Sequence, residues 1–219
     1  MKKLFTIIII LFFYNIGSGQ WVLQNTGTGF DISDISFPNA QTGYICGYGN
    51  MFYKTTNGGT SWTNLSFPGT ASNFDAVYFF TGQSGLLAST NDTIYKTSNG
   101  GVNWYNKFFI GYPVQNFQFF DSLSGYACGI NRLSYTSNGG VSWTTSNINS
   151  NGALFFLNQN TGWTVNYIGS GISEILKTSN GGLNWTSQYT SVNFRNLYAV
   201  FFIDQNTGWA SGYRHTIIK

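Results

Sequence analysis

The chain has 219 residues, a formal net charge of +3 and only 8% charged residues. Setting Lys2 and Lys3 aside leaves eight basic residues against seven acidic, too balanced for the basic stripe that nucleic acid requires. Acidic clusters of the kind that hold calcium are also missing, while 19% aromatics, 27 Gly and three Pro describe an all-β chain with many tight turns.

At the N-terminus, Lys2 and Lys3 precede an apolar run, Leu4–Tyr14, and the small residues Gly17, Ser18 and Gly19. This order predicts a secretory signal peptide over 1–19, cleaved before Gln20. The run is short for a membrane span, and no later segment replaces it, so no span is expected in the mature chain. No cysteine stands near the cleavage point to carry a lipid.

From there a unit repeats along 20–219. Phe37, Phe79, Phe119, Phe156 and Phe202 each precede by six residues a turn glycine: Gly43, Gly85, Gly125, Gly162 and Gly208. Ile35, Val77, Phe117, Leu154 and Val200 stand two residues before those phenylalanines, which is period-2 patterning of a half-buried strand. A second strand follows each turn (Tyr44–Gly47, Leu86–Ser89, Tyr126–Gly129, Trp163–Asn166, Trp209–Gly212). Third strands (Phe52–Lys54, Ile94–Lys96, Leu133–Tyr135, Ile175–Lys177) lead into a shared phrase, and a fourth begins at its tryptophan.

The phrase occurs four times, as Thr55–Trp62, Thr97–Trp104, Thr136–Trp143 and Thr178–Trp185. Its tryptophans are spaced by 42, 39 and 42 residues, the period of a propeller blade. Asn-Gly-Gly between two strands is a hairpin signal, because glycine accepts positive φ and asparagine bonds its own backbone. The threonines are placed to bond across the loop. Asn57, Asn99, Asn138 and Asn180 are placed to brace it, with Gly59, Gly101, Gly140 and Gly182 completing the turn. Trp62, Trp104, Trp143 and Trp185 should return as apolar plugs.

Ser/Thr-x-Asp/Asn-x-Gly-x-x-Trp resembles the Asp-box, or BNR repeat, of sialidases and sortilin-type propellers. With the Phe strand and the Thr-Gly-Trp turn it is more similar to the photosystem II assembly and stability factor family of BNR-like propellers and its secreted bacterial relatives. The likeness spans Trp21 to Lys219. It implies an all-β propeller of four-stranded antiparallel blades that acts as an assembly scaffold, without catalysis or cofactor. The box itself is a structural turn in every family that carries it.

The units fall at about 31–62, 73–104, 115–143, 151–185 and 196–219, so about five blades are visible. Two readings of the ends stay open. Ile217–Lys219 can pair with 20–25 around Trp21, closing a five-bladed ring. Alternatively the sequence breaks off within a six- to eight-bladed propeller, a reading favoured by His215–Lys219 stopping where the next box is due.

Other chemistry-bearing residues read as structural. Cys46 and Cys128 hold equivalent places in units one and three, too far apart to bridge, and are expected as buried thiols without metal. His215 reads as a strand-end residue and Asp121 and Asp204 as solvated turn residues. Lys54, Lys96 and Lys177 read as solvent-facing charges at strand edges.

Two function classes remain. A sialidase-like site needs an arginine triad and paired carboxyl and tyrosine groups. The chain offers only Arg132, Arg195 and Arg214 with a single Glu174, and Arg195 precedes a first strand while the other two follow second strands. We therefore expect no catalytic residues. The other class is binding of a protein or glycan through loop-lined rims, with specificity in Thr26–Phe30, Phe109–Pro113 and Ile168–Ser173. Tyr112 and Tyr167 are the expected partner contacts, with Arg132 and Arg214 beside them. Beside these two classes stands a purely structural repeat within a larger secreted or cell-surface protein.

Overall fold

The computed structural model describes residues 21–67, 73–148, 150, 153–191 and 196–219; the expected leader and Arg195 lie outside them. Nineteen strands among the described residues form five antiparallel sheets, each a meander in chain order, with no helix. Blade one holds β1 (Ile32–Ser36), β2 (Gly43–Gly47), β3 (Met51–Thr55) and β4 (Thr63–Asn64). Blade two holds β5 (Phe74–Phe79), β6 (Gly85–Ser89), β7 (Thr93–Thr97) and β8 (Tyr105–Phe109). Blade three is β9 (Asn116–Phe119), β10 (Gly125–Gly129), β11 (Arg132–Thr136) and β12 (Thr144–Asn147). Blade four is β13 (Leu154–Phe156), β14 (Gly162–Gly169), β15 (Ile172–Thr178) and β16 (Thr186–Thr190). Blade five has three strands, β17 (Leu197–Phe202), β18 (Gly208–Gly212) and β19 (Thr216–Ile218). The fourth strands begin one residue after the box tryptophan.

The six-residue Phe–Gly spacing has a packing cause. Phe79, Phe119, Phe156 and Phe202 pair in register with Gly85, Gly125, Gly162 and Gly208. A Cβ on any of these glycines would come within 2.4–2.6 Å of the ring. Glycine therefore lets the ring lie flat over the neighbouring strand. Three of the rings also stack on an aromatic of the preceding blade. Phe79 lies 3.4 Å from Tyr44, Phe156 4.1 Å from Tyr126 and Phe202 3.7 Å from Trp163, between ring centroids. Burying each ring contributes about 1.5–3 kcal/mol. Four apolar clusters result, one in each gap between successive blades.

First strands are tied directly across the gaps. Asp34 Oδ2 accepts from the Val77 amide at 2.8 Å and Ser36 Oγ from the Phe79 amide at 2.9 Å. Gln118 accepts from the Phe156 amide at 3.0 Å and donates to its carbonyl. Burial raises the Asp34 carboxyl above its ordinary value against the pull of the Val77 and Ile35 amides.

Of the two readings of the ends, the clasp is not seen among the described residues. β19 pairs with β18, and residues 21–31 contribute no strand. Trp21 stands fully exposed. Gln24 Oε1 instead lies 3.4 Å from where a Cβ on Gly59 would sit. Phe52, Leu86 and Leu133 of the preceding blades take that place beside Gly101, Gly140 and Gly182. Blade one is otherwise uncovered on this side: Ile35 is 56% exposed, where its counterpart Val77 is 3%.

Candidate functional site

All four boxes share one geometry. Thr55, Thr97, Thr136 and Thr178 are buried, and each Oγ1 accepts from the amide of the second box glycine at 2.9–3.0 Å. Each also donates to Oδ1 of the box asparagine, at 2.9 Å for Asn57 and 3.1 Å for Asn99. That Oδ1 accepts from the amide four residues on, in Ser61, Asn103, Ser142 and Asn184. The first glycine's amide binds the β1–β2-type turn of its own blade, as Gly100 does to Gln83 at 2.7 Å. Trp62, Trp104, Trp143 and Trp185 stand edge-on to Phe37, Phe79, Phe119 and Phe156 at 6.0–6.5 Å. Box and tryptophan thus serve the blade.

The lysines do not face solvent as expected. Lys96 Nζ donates to the Gly139 carbonyl of the next blade's box at 2.7 Å, and loss of water lowers its pKa. Lys177 reaches the Gln205 carbonyl of blade five at 3.3 Å. Lys54 lies over the Tyr44 ring at 5.3 Å, with its Nζ beside Gly100 of the next box. Each half-buried side chain bridges to its neighbour, which strand periodicity within a single blade does not reveal.

Tyr112 is also corrected. It is buried, its hydroxyl donating to the Ala127 carbonyl and bonded to Ser134 Oγ, both at 2.9 Å, and burial raises its pKa. Its ring covers Gly129, so it is a core residue of blade three rather than a partner contact. Tyr167 is different: 49% exposed, near the tip of the β14–β15 hairpin, whose strands are longer than those of the other blades.

Boxes and β1–β2-type turns occupy one rim; β2–β3-type turns occupy the other. The second rim exposes Tyr48, Ile130, Tyr167, Ile168 and Tyr213. Arg132 opens β11 and Arg214 sits in the β18–β19 turn at φ 54°, with its guanidinium over Tyr213 at 5.6 Å. Both arginines therefore share this rim, two blades apart. His215 is exposed in the same turn as Arg214. Of the expected specificity segments, Phe30 and Phe109 are exposed, whereas Ile110 is buried with Tyr112.

Glu174 accepts from Asn166 Nδ2 at 3.4 Å and Ser187 Oγ at 3.3 Å, within its own blade. Among the described residues no three His, Cys, Asp or Glu side chains gather as a metal site. Cys46 and Cys128 are free and buried, and burial raises both thiols, Cys128 to about 12. Asp121 and Asp204 each accept two backbone amides in exposed turns, which holds both carboxyls below their ordinary value.

Five propeller-type blades and four boxes of one geometry invite comparison with known proteins. Residues 15–107 match the family described as photosynthesis system II assembly factor YCF48. Over those residues the chain is similar to that family's BNR-like repeat. The structure of YCF48 bound to D1 peptide is 14% identical, covering 89% of this chain and 94% of that one at a TM-score of 0.50. The WD40 β-propeller domain of Doa1 is 9% identical over 83% and 62% of the two chains, with a TM-score of 0.58. A GH74 enzyme of Niastella koreensis is 16% identical over 86% of this chain and 31% of its own, also at 0.58. At these identities the likeness establishes the β-propeller fold alone. No curated protein matches the chain.

Proposed function

We propose that this protein is an exported, non-catalytic β-propeller scaffold that binds a protein partner through the rim of β2–β3-type turns. One observation carries the reading: exposed Tyr48, Ile130, Tyr167, Ile168 and Tyr213 recur at the same station of four blades. Aromatic residues with polar tips, flanked by arginine, are the side chains that dominate protein interfaces. The box rim, in contrast, commits its threonines and asparagines to its own loops. The relation to an assembly factor, one structure of which holds a peptide of D1, supports a protein partner over a glycan. The leader sequence supports export.

Affinity capture from the native periplasm or medium tests the reading, with residues 20–219 as bait. A protein retained by the wild type and lost with Tyr167→Ala plus Tyr213→Ala is the expected result. Capture of glycan instead, or sialoside hydrolysis abolished by Glu174→Gln or Arg132→Ala, contradicts it.

A further inference from the structure

One blade breaks the lysine rule. Lys54, Lys96 and Lys177 pair in register with Tyr44, Leu86 and Trp163. Lys219 lies over Trp209 at 5.8 Å in blade five. In blade three the same register pairs Tyr126 with Tyr135. Elsewhere the ammonium fills the space between a blade and the next blade's turns. Between blades three and four that space is a cleft of about 360 Å³, with Tyr126, Tyr135, Gln159, Asn180, Gly181 and Leu183 on its walls and no basic residue among its lining.

We propose that this cleft, which opens at the box rim away from the β2–β3-type turns, binds a primary ammonium on an alkyl stem, supplied by a lysine side chain of a protein. The acceptors match those used by the internal lysines. The Gln159 carbonyl corresponds to that of Gln205, the acceptor for Lys177, and the Gly181 carbonyl to that of Gly139, the acceptor for Lys96. Here the two carbonyls share the single Tyr126 hydroxyl proton, at 2.8 and 3.0 Å, and each retains a second lone pair. The rings of Tyr126 and Tyr135, 5.3 Å apart, provide the π-faces that Tyr44 and Trp163 present to Lys54 and Lys177. Leu133 at the base and exposed Leu183 at the mouth suit the methylenes of a lysine stem. Gln159 Nε2 donates to Asp121 Oδ2 at 3.3 Å, which sets a negative charge at the rim.

The site lies apart from the rim of the scaffold reading and does not rest on it, so it is tested with small probes. Backbone-amide NMR of the purified chain is titrated with Nα-acetyl-lysine methylamide, its norleucine analogue and n-butylamine hydrochloride. Lysine amide and butylammonium should shift Tyr135, Gly181 and Leu183, with at least tenfold weaker response to norleucine and weakening as salt rises. Tyr135→Lys, which supplies the chain's own ammonium, should abolish the response. Leu183→Ser, at an exposed position that does not endanger folding, should weaken it. Equal response to norleucine, or full binding in Tyr135→Lys, overturns the site. Butylammonium binding without lysine-amide binding overturns the lysine assignment. Probe binding with no partner captured leaves the site standing and counts against the scaffold reading alone.

Discussion

The Phe79 ring lies on that of Tyr44 with centroids 3.4 Å apart and planes 5° from parallel, while also covering Gly85. One side chain thus joins two strands of blade two to the neighbouring blade. Phe156 and Phe202 repeat the arrangement on Tyr126 and Trp163. Phe79→Ala should cost about 3–5 kcal/mol in urea unfolding, as for a buried aromatic that leaves a cavity. Gly85→Ala drives a methyl to 2.6 Å from the ring and should cost about 1–3 kcal/mol through overpacking. If Gly85→Ala is neutral, the ring is free to move and the Phe–Gly pair does not join the blades.

Trp143→Ala should cost about 3–5 kcal/mol, because the indole is 8% exposed and packs on Phe117 and Phe119. A loss below about 1 kcal/mol in the same assay contradicts a plug and indicates an exposed ligand platform.

Thr178→Val keeps the shape of the fourth box and removes its hub. The amides of Gly182 and Asn180 lose their acceptor, one of them buried. Thermal unfolding should register roughly 1–3 kcal/mol, the cost of stranding a buried donor. Thr178→Ser should recover most of it.

Acid stability should depend on Asp121 and Asp204. Their folded pKa values are depressed by turn amides, from Ser124 and Asn206 first. Their contribution is therefore complete above the unfolded carboxylate value and is lost as pH falls through the folded one. Asn39 and Asn158 make the same two bonds in blades one and four, so Asp121→Asn with Asp204→Asn should fold normally. The variant should show a flatter loss of stability below about pH 4. Asp34 shifts the opposite way and is present in both proteins, so the difference between the curves isolates the two turns. Superimposable curves contradict the assignment.

The blades were legible in sequence because their determinants recur at fixed offsets: Phe to Gly at six residues, Thr to Trp at seven. Strand alternation then located the second and third strands to within a residue or two over most of the chain, although the β14–β15 hairpin runs longer than its pattern indicated. Contacts between blades were not legible. The recurrence of Lys54, Lys96 and Lys177 was visible, but a strand pattern does not state which neighbour a side chain reaches. Tyr135 in the place of lysine was the sequence signal that went unused. Tyr112 misled because an irregular loop has no period, and only packing showed it seated over Gly129. The clasp at Trp21 is not seen among the described residues: a matching tryptophan by itself carries no strand register.

Calorimetric titration with the captured partner measures binding by the turn rim. Wild-type protein and Tyr167→Ala plus Tyr213→Ala are compared after their thermal unfolding midpoints are shown to agree. The double variant should bind at least tenfold more weakly than the wild type. Equal affinity would contradict binding by this rim.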